Sequence, residues 1–168
     1  MENFGEIKSL NISKNKGEAK LPVNSVNIMS DGIENDAHKG NGHRQVSMLS
    51  CEDIKEVKKI IPEIKSGDFA ENITVAGIDF AALSIGDSIE ITPKESFDNI
   101  INSRGTDTDI NYEECVILEI TQIGKECHTP CSIFSKLGYC IMPKSGIFCK
   151  VIKGGKIFAG DKISIIKK

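Results

Sequence analysis

Arginine is nearly missing from this chain. Of its 21 basic residues, only Arg44 and Arg104 are Arg. Extended basic runs are missing as well, and 24 acidic residues leave a net charge of −3. A nucleic-acid-binding surface needs a basic stripe or patch, so no nucleic-acid partner is expected. No apolar stretch approaches the roughly 20 residues that a spanning helix requires. The opening Met1-Glu2-Asn3-Phe4-Gly5-Glu6 has neither the basic nor the apolar region of a secretory signal. The expectation is a cytoplasmic protein with no membrane partner. In that reducing compartment the six cysteines, at 51, 115, 127, 131, 140 and 149, point away from a disulfide framework. They suggest free thiols, metal binding or catalysis.

What the chain does contain is isoleucine and lysine. It holds 27 Ile against 7 Val, and 19 Lys, a bias of composition rather than of fold. Against that background an Arg hints at a place where a planar fork of five donors is wanted. The length of 168 residues and a hydrophobic content of 39% suit a single domain with one core.

The β signal dominates. Segments 7–10, 26–29, 73–75 and 88–92 have β-branched strand character. Val116 to Thr121 is a mostly apolar run that reads as buried on both faces. Gly146 to Lys153, the pair Gly154-Gly155 and Lys156 to Phe158 read as a hairpin, with Lys162 to Ile166 as a closing strand. One helix is clear. Ser50 is a good N-cap with Asp53 three residues on, and Ile54, Val57, Ile60 and Ile61 repeat at helical spacing before Pro62. A shorter helix is expected over Ser132 to Leu137, stopped by Gly138. Residues 94–114 look like an insertion, either a lid, a solvated excursion or a segment with a helix near Ser96 to Asn102. Many short strands with Gly-Asp turns point to a mainly β, barrel-like fold with one or two short helices.

Two clusters carry chemistry. In the first, Asp31 to Met48, His38, His43 and Arg44 lie close together with Gly40 and Gly42. The glycines let a ligand approach the main chain, and an Arg there can hold a phosphate or carboxylate through two parallel hydrogen bonds. An exposed polar loop leading into a strand and helix explains the same composition. The second cluster, Gly124 to Cys140, follows a predicted strand and contains Lys125, Cys127, His128, Cys131 and Cys140. Lys125 and His128 can lower a neighbouring thiol's pKa. Cys127, His128, Cys131 and Cys140 can be read as zinc ligands, although the spacing is not a standard one. Cys127 and Cys131 can be read as a reversible disulfide, or all as reduced buried thiols. Cys115 and Cys149 are best explained by packing; Cys51, at the first turn of the helix, could have a depressed pKa, but a packing role is favoured for it too.

The segment Asn35-Asp36-Ala37-His38 through Arg44-Gln45-Val46-Ser47, then Ala70-Glu71-Asn72-Ile73-Thr74-Val75-Ala76-Gly77, then Leu83-Ser84-Ile85-Gly86-Asp87, then Leu118 to Gln122, then Ser145 to Ile152 and Gly160-Asp161 resembles the MOSC family. That family is named for the C-terminal domain of molybdenum cofactor sulfurase. The resemblance implies a stand-alone β-barrel-like domain over 1–168. It implies a molybdenum-pterin cofactor, or sulfane sulfur carried on a Cys for metal–sulfur centre assembly. The implied partners are a sulfur donor, such as a pyridoxal-phosphate cysteine desulfurase, and a molybdoenzyme acceptor. The implied activity is a cofactor-dependent reductase or a sulfur transferase. Counted from Gln122, the family thiol falls on Cys127, while the Pro-Cys context favours Cys131. Cys127 ranks first. Arg44, His38, His43, Gly40, Gly42 and Lys125 would hold the cofactor's anionic part, and Glu71 and Asn72 would shape or line its pocket. Asn35 stands where the family has Gly, as a left-handed position allows. The rival expectation is a small structural or regulatory domain with a zinc or thiol-redox site at 127–140.

Overall fold

The computed structural model describes residues 4–102, 114–126 and 131–168. Its strands are β1 (Gly5–Ile12), β2 (Leu21–Val23), β3 (Ser25–Met29), β4 (Gly32–Ile33), β5 (Val46–Ser50), β6 (Ile73–Ala76), β7 (Ser88–Thr92), β8 (Val116–Ile123), β9 (Ile147–Lys153), β10 (Gly155–Phe158) and β11 (Lys162–Ile166). Its helices are α1 (Cys51–Lys58), α2 (Lys94–Asn102), α3 (Ser132–Leu137) and α4 (Met142–Ser145), with a 3₁₀ turn at Phe80–Ala82. The fold is mainly β, as expected, but the described residues carry four α-helices rather than one or two.

Seven strands close a barrel in the order β1, β6, β5, β9, β8, β7, β11 and back to β1. Every pair is antiparallel except β5 and β6, which run parallel because α1 connects them. β11 and β2 share one edge of β1: Gly5 and Glu6 face Ile163 and Lys162, while Leu10 to Ile12 face Val23 to Leu21. Strand β1 is bulged at Lys8, where the register against β6 jumps from Ile7↔Val75 to Ser9↔Thr74. The extra residue resets the alternation, so Ile7 and Leu10 both point into the core.

Two sequence expectations need correction. β10 does not form a hairpin with β9; it leaves the barrel and pairs with β3, which also pairs with β4. The reason lies at Gly154, where a Cβ would sit 2.2 Å from the Ile28 carbonyl oxygen. Only a bare backbone lets the two segments approach so closely. β8 is not buried on both faces; Val116, Leu118 and Ile120 face the core while Ile117, Glu119 and Thr121 are half-exposed. Strand β5 is buried on both faces. Val46 and Met48 fill the barrel, and Leu49 joins a second apolar cluster with Ile54, Val57, Phe69, Ile133 and Phe148.

Ser50 caps α1 as its sequence suggests, accepting from the Glu52 and Asp53 N–H groups. The helix stops at Lys58, so Ile60 falls in the turn beyond it and is exposed while Ile61 is buried. Gly138 ends α3 in the left-handed conformation. α2 occupies the start of the apparent insertion, where Phe97 packs edge-to-face on Phe4 with ring centres 4.8 Å apart. Arg104 lies outside the described residues.

The barrel's closing seam is short, and it carries charge. Glu6 accepts from Lys162 at 2.7 Å and from Lys8 at 2.6 Å. These bonds hold the Glu6 carboxyl down to about 2. A depressed carboxyl contributes stability above its unfolded pKa and loses it as pH falls through the folded value. Glu6→Gln is therefore expected to cost about 0.5–1 kcal/mol at neutral pH, discounted for exposure. In acid titrations followed by urea unfolding, the difference from wild type should shrink steadily below the ordinary Glu range and be largely lost as pH falls through about 2. A difference that stays constant with pH would remove the ion pair from the seam.

Candidate functional site

The loop from β4 to β5 is held by hydrogen bonds at both ends. Asn35 adopts φ 63°, the left-handed conformation its side chain tolerates. The Gly40 N–H donates to the Asp31 carbonyl at 2.7 Å. Gln45 is buried beneath the loop; its amide donates to the carbonyls of Ser30 and Gly40 and accepts from the Val151 N–H at 2.7 Å. Near the end of the loop, the Thr121 hydroxyl donates to the His43 carbonyl. His43 Nε2 donates to Gln122 Oε1 at 2.9 Å, since an amide oxygen can only accept. The loop is thus fastened to β8 and β9, and its exposed residues are set around a depression.

That depression is a cleft of about 340 Å³. His38, Gly40, Gly42, His43 and Arg44 come to it from the loop, and Lys125 from the segment after β8. Lys16 and Lys39 join its rim. Phe69, Met142 and Phe148 supply apolar surface, and Arg44 lies 5.9 Å over the Phe148 ring. No Asp or Glu is among the described lining residues. In an acidic chain this is a local concentration of positive charge against a partly apolar wall, which focuses the field on an anion. A Cβ built on Gly40 or Gly42 meets no protein atom within 4 Å, so bare backbone there borders open space.

The structure brings seven of the expected binding residues together: His38, Gly40, Gly42, His43, Arg44, Asn72 and Lys125. Asn72 borders the cleft, but its polar atoms are largely spent. Its Oδ1 accepts from the Ser47 N–H and hydroxyl, and its Nδ2 donates to the Asn11 carbonyl. It shapes the wall by tying β1 and β5 to the start of β6. Glu71 is a correction: it does not line the cleft. It is fully buried, with Oε1 accepting from the Gly67 N–H at 2.5 Å and the Thr74 hydroxyl at 3.0 Å. Its carboxyl is turned to the Gly67 turn and the Thr74 hydroxyl, away from the opening that Asn72 borders.

Sequence reasoning missed Lys20. Its ammonium is fully buried and 2.6 Å from Asp36 Oδ1. It also lies 3.0 Å from His38 Nδ1 and 3.3 Å from the Ser13 hydroxyl. Burial alone would push the Asp36 carboxyl up. The Lys20 ammonium and the N–H groups of Ser13 and His38 outweigh it and hold the group well below the usual carboxylate range. No local pattern marks Lys20, because its partners lie 16 and 18 residues along the chain.

The thiols divide. Cys127 and His128 lie outside the described residues. Cys131 is exposed immediately before α3 and does not line the cleft. Cys140 is buried in the second apolar cluster. Among the described residues, no group of three His, Cys, Asp or Glu side chains is placed to share a metal ion. Burial pushes the Cys149 thiol far up, and burial raises Cys115; both are packing residues that hold their protons. No helix among the described residues is long and apolar enough to cross a membrane.

The MOSC domain profile matches residues 35–164. The chain belongs to the MOSC domain family. The matched region contains the cleft loop, Asn72, Lys125 and all six cysteines, but not Lys20. No curated protein sequence matches the chain. Among solved structures, the YuaD protein from Bacillus subtilis is similar with a TM-score of 0.73 at 18% identity, over 100% of this chain and 98% of that one. YiiM from Geobacillus stearothermophilus is similar at 0.62 and 18% identity, over 97% and 75% of the two chains. YiiM from Escherichia coli is similar at 0.58 and 14% identity, over 100% and 71%. At these identities the structural likeness establishes the MOSC fold.

Glu71 generates a stability prediction. Burial raises its carboxyl above the ordinary Glu range, against the hydrogen bonds from Gly67 and Thr74. Such a group contributes stability below its unfolded pKa and loses it as pH rises through the raised folded value. Glu71→Gln cannot ionise, so it should gain on wild type as pH increases from about 4 to about 8. Denaturant midpoints across that range check this; a gap that does not change with pH would mean that Glu71 does not ionise against burial.

Proposed function

We propose that the cleft binds the anionic part of a molybdenum-pterin cofactor and that a nearby thiol serves as its sulfur ligand or sulfur carrier. The observation that carries this reading is the set of six basic side chains around one cleft, with no carboxylate among the described lining residues. The residues fit such a group. A volume of about 340 Å³ falls in the range of small-ligand sites. The cationic rim suits a phosphate, and Phe69, Met142 and Phe148 suit a flat ring system.

Within this reading Arg44 holds phosphate oxygens through its fork, and stacking on Phe148 limits the rotamers it would otherwise lose on binding. His38 and the bare backbone at Gly40 and Gly42 add donors. Lys125 and Lys39 add charge, although Lys39 is partly matched by Asp31 at 3.5 Å. His43 is a positioning residue for the loop, its Nε2 spent on Gln122. A thiolate is the soft ligand that molybdenum and sulfane sulfur both favour. Cys127 keeps first place, because Lys125, two residues before it, lines the cleft while Cys131 does not. When bound, the cofactor would supply a redox-active metal centre or a sulfur-accepting one. A cysteine desulfurase as sulfur donor and a molybdoenzyme as acceptor are the partners this chemistry calls for.

Anaerobic purification followed by measurement of molybdenum, zinc, pterin and sulfane sulfur per chain tests the reading. Matched molybdenum and pterin, or sulfane sulfur lost in Cys127→Ser, is the expected outcome. Arg44→Lys should lower retained pterin about tenfold, the scale of a lost charge-assisted hydrogen bond. One zinc per chain that disappears in Cys140→Ser, with no pterin, would overturn the reading in favour of a structural zinc site. Unchanged pterin in Arg44→Lys would remove Arg44 from it.

A further inference from the structure

Lys20 sits on the connection between β1 and β2, and its backbone is clamped in place. Its N–H donates to the Gly67 carbonyl at 2.8 Å. Gly67 adopts φ +91°, and a Cβ there would lie 2.1 Å from the Lys20 carbonyl oxygen. No side chain fits between the two segments, so Lys20 has little freedom to withdraw. Its ammonium has three hydrogens and three acceptors within reach: Asp36 Oδ1 at 2.6 Å, His38 Nδ1 at 3.0 Å and the Ser13 hydroxyl at 3.3 Å. Ser13 passes its own hydrogen to the Asn15 carbonyl at 3.1 Å, which leaves its oxygen free to accept from Lys20. Asp36 is fully engaged as well. Its Oδ1 accepts also from the Ser13 N–H at 3.0 Å, and its Oδ2 from the His38 N–H at 3.1 Å.

This arrangement decides where the His38 ring hydrogen resides. An ammonium has donors and no lone pair. The ring nitrogen that faces it must therefore be the lone-pair nitrogen, and the hydrogen must be on the other. The 3.7 Å between His38 Nδ1 and Asp36 Oδ2 is too long for a hydrogen bond, so the carboxylate does not compete for that hydrogen. The ring is 32% exposed and lines the cleft. Its remaining polar group is Nε2–H.

The geometry assigns Lys20 as a positioning residue: it holds His38 in the neutral Nε2–H tautomer, so that the ring offers the cleft a hydrogen-bond donor and no basic lone pair. The atom of a ligand seated against His38 must then be an acceptor, such as an oxygen of a tetrahedral oxyanion. This second half rests on the reading of the cleft as an anion site, while the tautomer does not. Because Lys20 and Asp36 neutralise each other, the device places a donor at the cleft wall without adding net charge behind it. The field in the cleft is left to Arg44, Lys16, Lys39 and Lys125. Remove Lys20, and Asp36 is left with a buried unpaired charge. The neutral His38 ring would then turn its hydrogen toward that carboxylate and aim a lone pair at the ligand.

Long-range ¹H–¹⁵N NMR of the full chain reads the tautomer directly, at about pH 8, where histidine is neutral. Wild type is expected to show a lone-pair-type Nδ1 and a protonated Nε2 for His38. In Lys20→Met the hydrogen should move to Nδ1, and affinity for sulfate, which keeps its charge across this range, should fall about tenfold. Arg44→Lys should weaken sulfate while leaving the His38 tautomer as in wild type. A wild-type His38 protonated on Nδ1 overturns the assignment outright, with no variant needed should Lys20→Met fail to fold. An unchanged tautomer in folded Lys20→Met also overturns it. If wild type shows the expected tautomer yet binds no sulfate, the tautomer assignment stands and the anion reading of the cleft fails.

Discussion

The site depends on one buried ion pair. Lys20 and Asp36 meet at 2.6 Å with their side chains out of solvent. Desolvating two charges costs several kcal/mol each, and only excellent geometry with every remaining hydrogen-bonding position satisfied repays it. Here that condition is met by Ser13, His38 and two backbone N–H groups. The pair therefore constrains where the chain can be. It fastens the end of β1, the β1–β2 connection and the β4–β5 loop to one point. Through the Lys20 backbone it reaches the turn at Gly67, and from there Glu71. Losing one partner of such a pair costs about 3–5 kcal/mol, so the cluster resists piecemeal change.

That constraint explains how a loop rich in Gly and charge can serve as a binding surface. A loop with two glycines and several like-charged side chains would pay heavily in entropy and repulsion to converge on one ligand. Here the ordering is largely in place beforehand. Gln45 holds the loop from below, Thr121 and Gln122 hold its far end, and Asp36 holds its near end. The basic side chains remain at the surface, where water screens their mutual repulsion, and Asp36 and Gln45 beneath them are hydrogen-bonded internally. At the cleft the buried charges of Lys20 and Asp36 are paired, and the side chains of Lys16, Lys39, Arg44 and Lys125 are exposed.

Local features of this architecture were legible in sequence, and non-local ones were not. The Ser50 cap, the Gly138 stop and the closing strand follow from short-range rules, and the structure contains all three. The left-handed Asn35 was legible because its substitution for Gly has a stereochemical meaning. The partner of β10 was not. Gly154-Gly155 is a turn signal whichever strand follows, and only the approach to Ile28 shows that the chain crosses to β3. The bulge at Lys8 is hidden because Ile7 and Leu10 look like an ordinary break in alternation. The Arg44–His38–Lys125 cleft was half legible: the residue types suggested an anion site beside an ordinary polar loop, but their convergence is a property of the barrel. Lys20 was illegible among 19 lysines. A buried Asp36 requires a cation, yet nothing local says which.

The same logic sorts the cysteines. A thiol can ligate or carry sulfur only as a thiolate, so it needs water, positive charge or both nearby. Cys149 fails this test, buried in the barrel with its thiol pushed up by desolvation. Cys115 is raised the same way, and Cys140 lies in apolar packing. Cys51 sits in the first turn of α1 and does not line the cleft. The sulfur chemistry proposed for this chain therefore falls to the stretch after β8 that holds Cys127 and Cys131. That stretch opens with Lys125 on the rim of a cleft without carboxylates among its described residues. Positive charge there serves two purposes at once, since the field that would hold an anion is also the field that would favour a thiolate. The scarcity of Arg acquires its meaning here: the one described Arg stands where charge and a planar fork are both of use.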